Sequence, residues 1–305
     1  MRGVSAEISS TGDKMNEKIT LITFTDPMMG ISYECEPIFR KIETHFDGKI
    51  DFHYVMSGLV RNVYELITPD ELSLGKDIAI KLYNARLAEI YRSEENLGGL
   101  PINMTDFELF STTETSSDPL NIAYKAAQIV DNSKSAEFLY RLRYATIVDC
   151  RPTTKLAEIL KVVIKSGIDH KKFLTAYNDG SAAKNFKQDL QFCRRIGINS
   201  LPSYLIQYKS EGALIQNLAG YDTFAQVFDE LSGGLIKPVS PQKNLDNLRK
   251  LLKNHPIISP IKLREAFNLE NIDDVQGFIA PLIDSHEIKI INVPRGFFIE
   301  TEALT

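Results

Sequence analysis

The sequence predicts an α/β protein in which a strand-and-helix domain is interrupted by a long helical stretch and followed by a small unit of three helices and a hairpin. Three observations carry this expectation. The apolar runs "ITLITF" (19–24) and "KIDFHYVMSGL" (49–59) bracket an amphipathic helix. From about residue 69 to 195 the apolar residues recur at helical rather than strand spacing. Strand signals then return in "SYLIQY" and "ALIQNLAG", joined by "KSEG".

Taken in order, 19–24 is a continuous run of β-branched and aromatic residues, the mark of a buried strand. In "CEPIFRKIETHF" (35–46), Ile38, Phe39, Ile42 and Phe46 share one helical face. A strand, a helix and a strand in succession favour a parallel pair with a right-handed crossover. The helical stretch carries its own punctuation: Ser117 and Asp118 before Pro119 suit a start, and Gly167 and Gly197 suit stops. "KSEG" reads as a hairpin turn containing glycine, and "TFAQVFDEL" (223–231) as a closing helix. "SGGLIKPVSPQ" is rich in Gly, Pro and Ser and reads as a linker. Beyond it come "NLDNLRKLLKNH", then "SPIKLREAF" with Ser259 as cap and Pro260 in the first turn. "NIDDVQGFIAPLIDSHE" is a third helix, expected to kink or shorten near Pro281. "IKIINVPRGFFIE" closes as a hairpin. Three helices and a hairpin form a winged-helix pattern.

The bulk numbers bound the function. The 305 residues allow roughly two or three domain-sized units, and 43% hydrophobic with 25% charged residues is ordinary for a globular protein. A net charge of −5 gives no electrostatic reason to bind nucleic acid or an anionic membrane. No apolar run approaches the ~20 residues that span a bilayer. Residues 1–17 hold no apolar segment and read as a flexible tail rather than a secretory signal. Cys35, Cys150 and Cys193 are odd in number and far apart, which fits free thiols in the reducing cytoplasm. No Cys/His cluster has metal-ligand spacing, so no metal is expected.

The stretch "TDPMMGISYECEP" follows the first strand and leads into the first helix, a common position for a catalytic group. It resembles the redox turn of the DsbA-like thioredoxin-fold family, in the FrnE-type branch that includes predicted dithiol-disulfide isomerases. Three further stretches carry the likeness: "FHYVMSGLV" (52–60), "SSDPLNIAYKAA" (116–127) and "FCRRIGINSLPSYLI" (192–206). The resemblance implies a thioredoxin-like fold over 18–235 with an all-helical insert at about 66–195. A linker at 236–243 and the winged-helix-like unit at 244–305 follow. It also implies that Pro202 is the family's cis-proline, facing the turn.

At the turn the sequence departs from the family pattern, Asp-Pro-x-Cys-x-x-Cys-Trp. Between Asp26-Pro27 and Glu36-Pro37, Met29 stands for the nucleophilic cysteine and Ser32 for the second. The exchange reaction needs a thiolate at the first position. A thioether has no ionisable proton, and a serine hydroxyl cannot replace the resolving thiol. The expectation is therefore a redox-inactive adaptor that binds a protein or peptide. Its groove would be lined by Met28, Met29, Ile31 and Tyr33 on one side and by Leu201 and Pro202 on the other. No cofactor is expected.

The competing reading is a thiol- or glutathione-dependent oxidoreductase or isomerase that uses Cys35 or Ser32. Cys35 lies three residues past Ser32, about one helical turn on, and is either a relocated nucleophile or an inert core thiol; the inert thiol is favoured. Ser32 could bind the sulfur of glutathione, as a serine of the similar kappa-class transferases does, although that serine matches position 29. It could equally cap the helix. The five histidines are scattered, and "NLGGLPI" lacks the lysine of a phosphate loop. In the final unit, the helix that would enter a DNA groove carries Asp273, Asp274, Asp284 and Glu287 and no Lys or Arg. Phosphate repulsion disfavours DNA there, and protein contact is expected instead.

Overall fold

The computed structural model describes residues 18–302; the tail expected at 1–17 lies outside them. The chain opens with β1 (Ile19–Thr25), α1 (Gly30–Glu34), α2 (Glu36–His45) and β2 (Ile50–Met56). α3 (Pro69–Ser73), α4 (Lys76–Gly98), α5 (Asp118–Val130), α6 (Ser135–Ile147), α7 (Leu156–Lys165), α8 (His170–Asn178) and α9 (Ser181–Ile196) follow. β3 (Ser203–Tyr208), β4 (Glu211–Gln216) and α10 (Tyr221–Ser232) complete the first domain. The C-terminal module holds α11 (Leu245–Asn254), β5 (Ile257–Ile258), α12 (Pro260–Phe267), α13 (Ile272–Asp284), β6 (Ile288–Val293) and β7 (Gly296–Thr301).

The main sheet has the order β2-β1-β3-β4. β1 and β2 are parallel, with Leu21 beside Phe52, and the other pairs are antiparallel. Alternation along β1 distributes its side chains between two cores. Ile19 and Leu21 join Phe39, Ile42, Tyr204, Phe224 and Phe228 under α2 and α10. Ile22 and Phe24 join Leu205 and Cys193 on the side of α9. The helical insert has its own larger core, which reaches back to Met28 and Tyr33.

Four details differ from the sequence expectation, each for a local reason. The helix expected at 35–46 is α2, and a separate short helix, α1, precedes it where none was expected. Pro37 cannot donate to the carbonyl four residues back, and its ring crowds that turn, so the chain breaks at Cys35 between α1 and α2. Gly75, at φ +99°, separates α3 from α4 within one periodic stretch. The β3–β4 turn is Lys209-Ser210, which places Gly212 inside β4 rather than in the turn. α13 continues through Pro281, which sits in its last turn where few ladder bonds remain to be lost.

The segment expected as a linker is exposed over 237–240 but anchored at two points: Ile236 is buried, and the Val239 amide donates to the His45 carbonyl at 2.8 Å. The C-terminal module has a core of Leu248, Leu263, Phe267, Ile279, Leu282 and Ile299, and a three-stranded sheet of order β5-β7-β6. It lies against the first domain over a broad face. Thr44 donates to the Ala266 carbonyl at 2.6 Å, and the rings of Tyr144 and Phe298 meet edge to face at 4.8 Å. Arg295, in the β6–β7 turn, pairs with Glu95 on α4 at 2.8 Å. Ile257 and Phe298 belong to the core of the helical insert.

Candidate functional site

The turn between β1 and α1 is held by Asp26. Its fully buried carboxylate accepts the amides of Met28 at 3.0 Å and Leu59 at 2.7 Å, the Ser117 hydroxyl at 2.8 Å and the Asn121 amide at 2.8 Å. Burial raises its pKa, and these donors oppose the rise. One side chain thus ties the turn, the exit of β2 and the start of α5 together. Sequence reading quoted Asp26 only as part of a motif. A lone acid closing an apolar strand was the available signal.

Met29 and Ser32 form part of a directed hydrogen-bond chain. Arg143 donates to Thr25 Oγ1 at 2.7 Å, Thr25 donates to Ser32 Oγ at 2.8 Å, and Ser32 donates to Met29 Sδ at 3.3 Å. The Ser32 proton therefore points at a thioether. The group beside Ser32 is a donor fixed by a guanidinium, not a base, so nothing in the chain takes the proton that a serine nucleophile must lose. Met29 and Ser32 are both buried.

Cys35 does not face this chain. It is 4% exposed in the core under α2, where the Tyr204 hydroxyl lies 3.7 Å from its sulfur. Burial pushes its pKa up to about 11. At neutral pH it is a thiol, and a thiol is not the attacking species.

The groove residues divide. Met28 and Tyr33, expected to line the groove, lie instead in the core of the helical insert, because α1 packs against α4 and α6. The Met28 carbonyl takes the Tyr91 hydroxyl. The Tyr33 hydroxyl donates to the Pro101 carbonyl at 3.1 Å, and its ring stacks on Tyr140. Pro202 is buried and joined to Leu201 by a cis peptide bond. Ile31 and Leu201 remain partly exposed.

Behind the turn is a cluster that sequence reading missed. Glu36, at the start of α2, is buried among three cations from three elements: Arg143 at 3.4 Å, Lys262 at 3.5 Å and Arg40 at 3.8 Å. The Lys262 ammonium also sits 3.2 Å from the centre of the Tyr140 ring. Burial would raise the Glu36 pKa, but the charges of Lys262, Arg40 and Arg143 hold it below its usual value. Burial pulls Lys262 down to about 7 against the pull of Glu36. Arg143 thus links the turn, through Thr25, to the C-terminal module, through Glu36. The signal for Arg143 was present: it lies four residues after Leu139 and four before Ile147, on a stripe that is otherwise apolar.

Among the described residues no three His, Cys, Asp or Glu side chains gather as a metal-holding group. Nor is any helix there long and apolar enough to cross a membrane.

Comparison with known proteins agrees with this architecture. The thioredoxin family model matches residues 22–226. The chain is similar to the ClpXP adapter protein SpxH of Halalkalibacterium halodurans, with 22% identity over 310 residues, covering 97% of this chain and 94% of that protein. Among solved structures, a candidate protein disulfide isomerase from Nitrosomonas europaea superposes with a TM-score of 0.57 at 16% identity, covering 70% of this chain and 97% of that one. A candidate DsbA oxidoreductase from Streptomyces coelicolor gives 0.53 at 14% identity, covering 72% and 92%. These two likenesses are of fold.

Proposed function

This chain belongs to the thioredoxin family, and from that premise we propose that it is a redox-inactive adapter that binds a protein client in the cytoplasm. One observation carries the reading: where the reaction needs a thiolate, the Met29 thioether accepts a hydrogen bond from Ser32. The nearest cysteine, Cys35, is a buried thiol with a raised pKa. A thioredoxin-like fold with this turn and its Leu201–Pro202 loop but no thiol pair is suited to holding a polypeptide rather than exchanging its disulfides. The likeness to a protein described as a ClpXP adapter supports a role in presenting a client to a protease.

In this reading the client contacts Ile31 and Leu201 at the mouth of the turn, above the buried Met29. The winged-helix-like module at 244–305 adds a second protein contact through the exposed acidic face of α13, which carries Asp273, Asp274 and Asp284. Full-length protein with Ile31→Asp and Leu201→Asp tests the first surface by affinity capture. The expected result is loss of a defined client, with retention on reintroducing the wild-type residues. Unchanged capture by both variants contradicts the assignment. Deleting 240–305 is not a clean test, because it strips Phe298 and Ile257 from the core of the helical insert and Lys262 from Glu36.

A further inference from the structure

β4 is an outer strand of the main sheet, and its pairing with β3 fixes which backbone groups are already used. Tyr208 and Glu211 close a two-residue turn, and the Asn217 amide donates to the Pro202 carbonyl at 3.0 Å. Hydrogen-bonded pairs alternate along an antiparallel ladder. Glu211, Ala213, Ile215 and Asn217 therefore face β3, and Gly212, Leu214 and Gln216 turn their amides and carbonyls outward. Among the described residues these outward groups have no backbone partner.

Edge strands are ordinarily protected by lysine, proline, a bulge or a covering element. β2, the opposite outer strand, carries Asp51 and His53, and its Met56 amide is taken by Asp189 at 2.9 Å. β4 has none of these devices from 212 to 216: the residues are Gly, Ala, Leu, Ile and Gln, all partly exposed and in unbroken register with β3. Both faces are covered, Leu214 on the α9 side and Ile215 on the α10 side, so only the edge is free.

We propose that this edge is a homodimer contact, in which two copies pair β4 antiparallel about a two-fold axis at Leu214 and join their sheets. The strand is complementary to itself in that register. Gly212 stands opposite Gln216, Ala213 opposite Ile215, and Leu214 opposite its own copy, so small residues meet larger ones. Glu211 falls opposite Asn217, and no like charges oppose each other. Every outward amide and carbonyl of Gly212, Leu214 and Gln216 finds a partner. Leu218, 48% exposed just beyond the strand, lies over the turn of the second copy at Ser210. A strand from an unrelated protein would need no such symmetry, which is why a second copy is the occupant chosen. The proposal is independent of the adapter reading.

Sedimentation of the full chain over a concentration series tests it, with two variants. Gly212→Pro removes an outward donor while sparing every bond to β3. Leu214→Lys keeps an apolar stem over the same surface and sets two like charges side by side across the axis. The expected result is a concentration-dependent dimer whose dissociation constant rises by about tenfold or more, roughly 1.4 kcal/mol, in Leu214→Lys. Gly212→Pro should behave alike, and circular dichroism should show both variants folded; if Gly212→Pro does not fold, Leu214→Lys decides. A monomer at all concentrations, a dimer indifferent to the variants, or an edge that pairs only with a different polypeptide overturns the proposal.

Discussion

Lys262, from the C-terminal module, places its ammonium 3.5 Å from the carboxylate of Glu36, at the start of α2. Both are almost fully buried. With Arg40 and Arg143 also converging on Glu36, three cations share one carboxylate, and the module is fixed to the site rather than tethered beside it.

Removing the shared carboxylate should be costly. Glu36→Gln leaves Arg143 and Lys262 buried without their anion, while Arg40 keeps Glu43 at 2.5 Å, and breaking a buried ion pair from one side costs about 3–5 kcal/mol. Urea unfolding should show that loss, with the C-terminal module released together with the first domain. A change within experimental error would mean that the cluster contributes no net stability.

The Lys262 ammonium gives a pH signature whose sign is fixed. Its folded pKa is about 7, below the ordinary value of 10.5, so the unfolded chain binds more protons between those limits. Its contribution is present above 10.5 and is lost as pH falls through about 7, so stability should rise with pH across this window. Lys262→Met should abolish that rise. The quantity to measure is the difference in unfolding free energy between wild type and Lys262→Met at pH 7 and pH 9; equal differences at both would refute the assignment.

Glu34 should act in the opposite direction. Burial raises its pKa from 4.5 to about 8, while it accepts the amides of Gly98 at 2.9 Å and Leu100 at 3.2 Å. Its contribution is fully present below 4.5 and disappears as pH rises through about 8. Glu34→Gln keeps an acceptor for those amides and should remove this loss, read as a flatter stability profile between about pH 4.5 and 8.

Asp26→Asn should destabilise by about 2–3 kcal/mol, because an amide turns donors toward donors in a closed site. Thermal unfolding measures it. The helical insert should loosen first, since Ser117 and Asn121 anchor α5 to this carboxylate, and hydrogen exchange along α5 reports that directly.

Much of the fold was legible in the sequence, because strand runs and helical stripes depend on neighbours within a few residues. The expectation that Met29 and Ser32 stand where the family has two thiols came instead from resemblance to a short motif, whose residues are also neighbours in sequence. Where residues act across distance, local pattern was silent. Nothing near Lys262 in "SPIKLREAF" marks it as the partner of a glutamate more than two hundred residues earlier. Met28 and Tyr33 read as groove residues because the turn was considered alone. Packing of α1 against α4 and α6 turns them inward, and that packing is set by the whole insert.

The central claim, that this thioredoxin-fold protein performs no disulfide chemistry, is tested most directly by an insulin-reduction assay of the full chain beside Cys35→Ser. The structure predicts no acceleration over reductant alone, and identical traces for the two proteins. Reduction that depends on Cys35 would contradict it.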